Sequence, residues 1–570
     1  MKKKLLSLLL AVLMLMSIML TSCSNEEDDG TVTLNADSTN TRTVVIAAIT
    51  GETTTPEAIT QVEEALNRVS KSMYKTQVVL RLMTEDEYED YINDTYTALK
   101  EEEEAAEKAE QEARKEALEQ QRQQALEDAK KKVRTKWVKD DEEDEAETSE
   151  TQATATDEYG RVVLQYPDAG ENQIDIVFMT GVDMFYRFFD KDYLMPITST
   201  IASESQAEKD LSKYIYPTFM AAGRIDRTQY AIPSNQPLGY YTYFLVNKEL
   251  ADRYQFTVGE TITLNDCEAF LDSVHANEPG VTPINMVPDM KGLYYLTGED
   301  SPIGSIVSDT YQPTADAKPT NLYENSEYVA FRALKEKLIN GGYVDENATD
   351  PAIKVVRAFD TTPEDEGWSD EYYVALHSTP RASNETVYSG LFGISSYSAN
   401  PDRAFEIINL LNTDTTFRNT YQYGVKDVNY TLNDDKTVHM LNDDYSMDLF
   451  QTGNVYMAYV PEDMPANSWE KSKEQNLTTY VEPFFHVSTQ VLSDTNADLA
   501  ENMEKYSEMV ERQNQTISSS ADPAASLQNI SPSDSYFLNN NLSSDADSIC
   551  SFYYDYFGAQ EDLSTGTLPG

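Results

Sequence analysis

Val44-Val45-Ile46-Ala47-Ala48-Ile49 is a continuous apolar run with no residue that prefers water. Such a run suits a strand covered on both faces, as in the interior of a parallel sheet, and does not suit the alternating strand of a half-solvated sheet. The next forty residues narrow the choice. Thr53-Thr54-Thr55 precedes Pro56 and Glu57, an N-cap region with proline in the first turn. Ile59, Val62, Ala65, Leu66 and Val69 then recur at helical spacing. Val78 to Leu82 reads as a second strand, and Thr84 with Glu87 three residues on opens a second helix as a capping box. Strand, helix, strand, helix predicts an α/β fold on a parallel sheet.

The rhythm breaks from Thr97 to about Val138, where Glu, Ala, Gln, Lys and Arg dominate without Gly or Pro. These are strong helix formers. Larger apolar residues are few (Leu118, Leu126, Val133, Trp137), so no heptad seam is present. The expectation is one long solvent-exposed helix, or the same helix bent back as a hairpin. Asp140 to Glu158 is acidic and Thr-rich and is expected to lack fixed structure. This insertion is either an arm that reaches a partner or a tolerated surface loop. Beyond it, strands are predicted at Ile174–Met179, Tyr230–Pro233, Tyr241–Val246 and Thr282–Val287. Ala404 to Leu411 is an amphipathic helix, Thr431 to Met440 a β-hairpin, and Asn514 to Asp534 a polar loop. Tyr553, Tyr554, Tyr556 and Phe557 are expected near the end of a terminal helix.

Composition excludes several classes. Across 570 residues, 44 Lys and Arg stand against 98 Asp and Glu, a formal net charge of −54. That balance opposes binding to nucleic-acid phosphates and electrostatic docking on anionic lipid. With three Cys and four His, few ligands exist for a structural zinc, and the histidines lack metal spacing. Asn433-Asp434-Asp435 and Asn442-Asp443-Asp444 read as turns, since neither has EF-hand spacing for calcium. No Gly-x-Ser-x-Gly elbow, His-Glu-x-x-His, Walker loop or Gly-x-Gly-x-x-Gly occurs. The expectation is a protein with no catalytic residues, no metal and no cofactor.

Lys2, Lys3 and Lys4 precede an apolar run from Leu5 to Leu20. The run is shorter than the ~20 residues of a bilayer span and suits the core of a signal peptide. Leu20-Thr21-Ser22-Cys23 resembles the lipobox of bacterial lipoproteins, which implies lipidation of Cys23 as the mature N-terminus. Residues 1–22 are then the signal peptide and 23–40 a polar tether, with Glu26, Glu27, Asp28 and Asp29 in a row. Cys267 and Cys550 either pair in an oxidising envelope or are separate core residues.

The order of motifs resembles that of extracellular solute-binding proteins of bacterial ABC importers, in the sugar-binding group similar to maltose-binding protein. Asp175-Ile176-Val177-Phe178 with Gly181 resembles the family's strand ending at the cleft. Asp190 to Ile197, with Leu194 and Pro196, resembles the segment after the next helix. Tyr230-Ala231-Ile232-Pro233, then Tyr243 and Val246-Asn247-Lys248-Glu249-Leu250, resembles the stretch that crosses between lobes. Asn400-Pro401 with the helix to Leu411 and Thr413-Asp414, Tyr423-Gly424 with Tyr430, and Ser531-Pro532 complete the series. The insertion, and Asp190-Lys191-Asp192 where a turn glycine is usual, depart from the pattern.

The resemblance implies an α/β, two-lobed clamshell of the periplasmic-binding-protein type II kind, with a hinge and an inserted helical arm. The expected lobes are 41–238 with 388–455, carrying the insertion 97–172, and 239–387 with 456–570. It implies a monomeric receptor, membrane-anchored and facing outward, that hands a neutral sugar or oligosaccharide to ABC permease subunits. Sugars need flat rings for stacking and amide or carboxylate groups for hydroxyls, and the chain has 37 Tyr. By position, Thr180 and Asp183 follow a strand end, where Asp183 either accepts sugar hydroxyls or caps the next helix. Gln236, Tyr240 and Tyr241 lie at the predicted crossing, where Tyr241 either meets ligand or packs. Trp368, Asp370 and Tyr372 form a candidate stacking loop, with Trp469 a further candidate. A surface scaffold acting through the helical arm, and a carbohydrate-active enzyme, are the alternatives.

Overall fold

The computed structural model describes residues 40–132, 155–156, 162–197, 211, 214–225, 228–306, 319–358, 367–477, 479–482, 488 and 496–557. The signal peptide, Cys23, most of the tether, Trp137 and His486 lie outside the described residues, as does the acidic stretch Asp140–Glu158 apart from Ala155–Thr156. A short antiparallel ladder of Ala155–Thr156 with Val162–Val163 forms a separate small unit.

The apolar run is strand β1 (Arg42–Ile49), with Val44 to Ala48 fully buried. Helix α1 (Pro56–Tyr74) comes next. Thr55 caps it by accepting from the Ala58 N–H at 3.2 Å, and Lys75 ends it in the left-handed region at φ 51°. Its buried stripe is Ala58, Val62, Leu66 and Ser70, one residue per turn against the sheet. Strand β2 (Thr76–Met83) runs parallel to β1, with Ile46 opposite Leu80. Being an edge strand, β2 has an open row of polar backbone groups, and α1 covers part of it. Asn67 both accepts from the Val78 N–H at 2.7 Å and donates to its carbonyl at 2.9 Å, while Glu63 accepts from the Leu80 N–H at 2.6 Å. Burial there raises the Glu63 carboxyl, opposed by that bond.

Helix α2 (Glu85–Lys132) is a single helix of 48 residues. Its first turns are anchored by Tyr88, Ile92 and Tyr96, all buried on one face. From Glu101 to Gln123 every residue is exposed, so this part is a solvated arm and not a hairpin. Strand β3 (Ile176–Met179) lies parallel to β1 on its other side, with Ile46 opposite Ile176. Asp175 just before it is fully buried. It accepts from the Val45 N–H at 3.0 Å, from Gln173 at 2.7 Å and from Ser398 at 2.6 Å. Helix α3 (Gly181–Asp190) buries Met184, Phe185, Tyr186 and Phe188.

Strand β4 (Ala231–Pro233) is followed by the crossing to β5 (Tyr241–Asn247), which belongs to a second sheet. Helices α4 (Leu264–Asn277) and α5 (Ser326–Asn340) come next, then strands β6 (Ile353–Ala358) and β7 (Tyr372–Ser378). Both pair antiparallel with β5, so Phe244 faces Val355 on one side and Ala375 on the other. The chain then returns to the first sheet as β8 (Leu391–Ile394), antiparallel to both β3 and β4. The first sheet has the order β2-β1-β3-β8-β4, and the second β6-β5-β7.

The rest divides between the sheets. Helices α6 (Pro401–Thr413) and α7 (Thr415–Tyr423) pack on each other and on α1, with Asp414 capping α7 at 2.7 Å. Strands β9 (Tyr430–Leu432) and β10 (Val438–Met440) form the predicted hairpin. Helix α8 (Ser468–Asn476) joins a second core cluster with Tyr423, Tyr430, Val438 and Val455. Helices α9 (Ala497–Ser518), α10 (Pro523–Gln528) and α11 (Pro532–Phe557) complete the chain, and of these α9 and α10 pack on α5.

Two expectations fail for identifiable reasons. Thr282–Val287 is not a strand. Ile284 makes isolated bridges to Val344 and Ile353, and Pro283 and Pro288, which lack a donor, bound the segment. Asn514–Asp534 is largely helical, because Gln513, Ile517 and Leu527 are buried and Asp522 caps α10 at 3.0 Å. Polar composition suggested a loop, and tertiary burial outweighs it. Cys267 is buried in α4 with a free thiol that donates to the Thr263 carbonyl at 3.4 Å, and burial pushes that thiol up to about 12.

Candidate ligand-binding cavity

The crossing Ser234–Tyr240 is stitched on both sides. Gln236 donates through its amide to the Thr386 carbonyl and to Ser389, and Thr386 donates to the Leu238 carbonyl at 2.8 Å. From the other side Asn476 accepts from the Leu238 N–H at 2.8 Å and donates to the Gln236 carbonyl at 3.0 Å. Gln475 donates to the Gly239 carbonyl. The return segment runs close by: a Cβ on Gly239 would collide with the Arg381 carbonyl oxygen, so only glycine allows this approach. A third segment joins them, since Arg381–Ala382 pairs in parallel with Tyr480–Val481 and the Glu482 N–H donates to the Ala382 carbonyl at 2.9 Å.

Beside these segments lies a cavity of about 240 Å³. Tyr240 and Thr242 enter it from the crossing and β5, Val355 and Arg357 from β6, and the loop 286–294 forms one wall. Arg381, Glu385 and Glu482 line the side made by the joined segments. Leu293 and Tyr294 pair with Ile306 and Ser305, and side chains hold the rest of this wall. Asn285 accepts from the Val355 N–H at 2.7 Å, and His377, stacked on Phe244 at 4.8 Å, donates through Nε2 to the Asp289 carbonyl at 2.9 Å.

Electrostatics distinguish two groups. Burial raises the Tyr240 hydroxyl to about 12; Glu385 and Asp448 add to the shift and Arg357 opposes it. Tyr240 is also packed against the cluster around Tyr423, Tyr430 and Trp469. Burial pushes the Glu482 carboxyl up to about 8, with Glu385 and Asp289 adding to the shift and Arg381 opposing it.

Of the sequence-predicted residues, Tyr240 lines this cavity. Gln236 is buried within the crossing, with its amide bonded as above. Strand alternation turns Tyr241 to the other face of the second sheet. There its ring lies 5.8 Å from Tyr243, and Tyr243 lies 5.8 Å from Trp368. Tyr372 lies on β7 with its hydroxyl 3.5 Å from Asp350, and Asp370 is exposed on the short helix Trp368–Glu371. Thr180 is the N-cap residue of α3 at the end of β3, without a side-chain capping bond. Asp183, in the first turn of α3, accepts from Ser488. Trp469 is core: it is 5% exposed and donates to the Ala458 carbonyl at 2.9 Å. Sequence reasoning missed Arg357, Glu385 and Glu482. A weak signal for the last exists, an acid between Val481 and Pro483 in an otherwise apolar stretch. Among the described residues, no group of three or more His, Cys, Asp or Glu is placed to hold a metal ion. Among the same residues, no helix is long and apolar enough to cross a membrane.

No family model matches the sequence. Over 342 residues the chain is 24% identical to a carbohydrate ABC transporter substrate-binding protein of Streptococcus pneumoniae serotype 4, covering 56% of this chain and 67% of that protein. In fold it is similar to the N-glycan transport solute-binding protein NgtS of Streptococcus pneumoniae. The TM-score is 0.58 at 15% identity, over 92% of this chain and 99% of that one. NgtS in complex with Man1GlcNAc matches at a TM-score of 0.51 and 15% identity, over 92% and 100% of the two chains. An extracellular solute-binding protein from Bifidobacterium longum subsp. infantis matches at 0.53 and 13% identity, over 90% and 98%. The motif order, the two sheets joined by crossing segments and these likenesses agree: the chain has the two-lobed α/β fold of the extracellular solute-binding proteins that its sequence resembles.

Proposed function

We propose that this protein is a receptor for a neutral oligosaccharide, held at the outer face of a membrane by lipid on Cys23, that delivers its ligand to the permease of an ABC importer. The observation that carries the reading is the polar cavity beside the crossing segments, entered by Tyr240, Arg357, Glu385 and Glu482. Its chemistry is directed hydrogen bonding beside the aromatic rings of Tyr240 and Tyr294, which is what a polyhydroxylated ring requires. The relatives point the same way, since NgtS was crystallised with Man1GlcNAc. Nothing in this role calls for a bond to be broken, and the protein acts by binding alone.

The lobes in this reading are the bodies around the two sheets. Trp469 and Val455 cluster with Tyr423 and Tyr430. A ligand that touches both bodies favours the closed arrangement by its differential affinity. Thr180 and Asp183 at the end of β3, and the ring series Tyr241, Tyr243 and Trp368, are further contact surfaces for a longer glycan.

The test is calorimetric titration and thermal denaturation with a mannose–N-acetylglucosamine disaccharide. Ligand at a hundred times its Kd stabilises a single-site receptor by about 2.7 kcal/mol, so a clear rise in Tm is expected, with a smaller radius of gyration in solution scattering. Release of free monosaccharide would point to an enzyme. No thermal shift with any neutral glycan would remove the receptor reading.

A second reading rests on the arm, exposed from Glu101 to Gln123. Should the protein be a surface scaffold, deleting the arm abolishes its cellular role while glycans shift nothing.

A further inference from the structure

Glu482 sits at the joint of the three segments that connect the two bodies. Its backbone is fixed by the bond to the Ala382 carbonyl at 2.9 Å, and its partly buried side chain lines the cavity. Among the described residues no hydrogen-bond donor meets its carboxylate. The charged groups around it come from every wall. Arg381 and Glu385 lie on its paired segment, Asp289 and Lys291 on the loop, Arg357 on β6 and Tyr240 on the crossing. His377 is turned to the loop carbonyl. Glu385 and Asp289 disfavour a further negative charge at Glu482, and Arg381 favours it. Desolvation and like charge thus act together on one side chain that lines the cavity.

We propose that Glu482 enters the cavity as a neutral carboxylic acid and donates a hydrogen bond to a hydroxyl of an uncharged glycan, so that binding depends on one retained proton. This rests on reading the cavity as the glycan site. A carboxylic acid offers one donor and an acceptor on the same group, the pair a sugar hydroxyl uses.

Two measurements test this. Without ligand, the side-chain carbon of Glu482 in ¹³C-labelled protein, assigned by its absence in Glu482→Gln, is expected to titrate well above the ordinary glutamate range. Titration between about pH 4 and 5 overturns the proposal whatever the protein binds. With the mannose–N-acetylglucosamine disaccharide as probe, the Kd is expected to rise about tenfold between pH 7 and pH 9 as the acid ionises. Glu482→Gln, which keeps a donor, is expected to bind with no such dependence, and Glu482→Ala to bind weakly throughout. A wild-type Kd that is flat with pH leaves the receptor standing and overturns the role of Glu482. So does a glucosamine analogue that binds more tightly and releases a proton. Absence of binding at every pH, with an elevated titration, strikes the receptor reading and leaves the protonated acid in place.

Discussion

Gly239 and Glu482 show how single residues set the behaviour of the crossing. At Gly239 the backbones of two chain segments approach until a Cβ would collide with Arg381. Gly239→Ala must push them apart, at a cost of about 1–3 kcal/mol, the range for overpacking. A lowered urea midpoint at unchanged m-value checks this. The Glu482 carboxyl stands at about 8 in the folded chain, above its value in the unfolded one. A raised acid stabilises the fold in its protonated state. That contribution is complete below the unfolded value, near pH 4.3, and is lost as pH rises through about 8. Glu482→Gln is therefore expected to be more stable than wild type at pH 9, with the gap closing toward pH 5. Thermal denaturation across that range reads the sign directly. The sequence singles out neither residue: Gly239 is one of 22 glycines, and Glu482, one of 98 acidic residues, carries only the weak signal of an acid in an apolar stretch.

Elements were more legible than residues, because periodicity and capping are local. β1, α1, β2, β5, α6 and the β9–β10 hairpin all form where apolar pattern and turn chemistry predict them. The failures lie where distant contacts decide. The end of α9 and all of α10 form from a Ser-, Asn- and Gln-rich stretch, packed on α5 with Ile517 and Leu527 buried. Thr282–Val287 bridges Val344 and Ile353 through Ile284 alone, with Pro283 and Pro288 limiting the pairing to isolated bridges. The cover of β2 by α1 is another tertiary feature, with one amide, that of Asn67, bonding both polar groups of Val78. Asn67→Ala leaves these edge groups to water or unpaired. It is expected to cost about 1–3 kcal/mol and to raise the tendency to aggregate through the exposed strand. Denaturant titration and light scattering of the variant measure the two effects separately.

For the whole molecule, the long arm of α2 and the cavity are separate features. Tyr88, Ile92 and Tyr96 tie the start of α2 into the core, and exposed Glu102 and Glu103 meet Asn172 at 2.7 Å and Tyr397 at 3.1 Å, the last such contacts of α2 among the described residues. Replacing residues 104–160 with a short Gly–Ser linker is therefore expected to leave Tm within a few degrees of wild type and glycan affinity unchanged. A large loss of affinity would tie the arm to the ligand site.

The sequence by itself determined the α/β class, the identity of most strands and helices, and the motif order that resembles solute-binding proteins. Each of these is carried by neighbours a few residues apart, through apolar period, capping side chains and proline or glycine breaks. Only the tertiary structure decided that Tyr240 faces the cavity while Tyr241 faces away, and that Trp469 is core. It alone brought Glu482 against Glu385 and Asp289. Those outcomes depend on segments from far along the chain meeting at the crossing, and the environment of a side chain there is set by partners that no local pattern records.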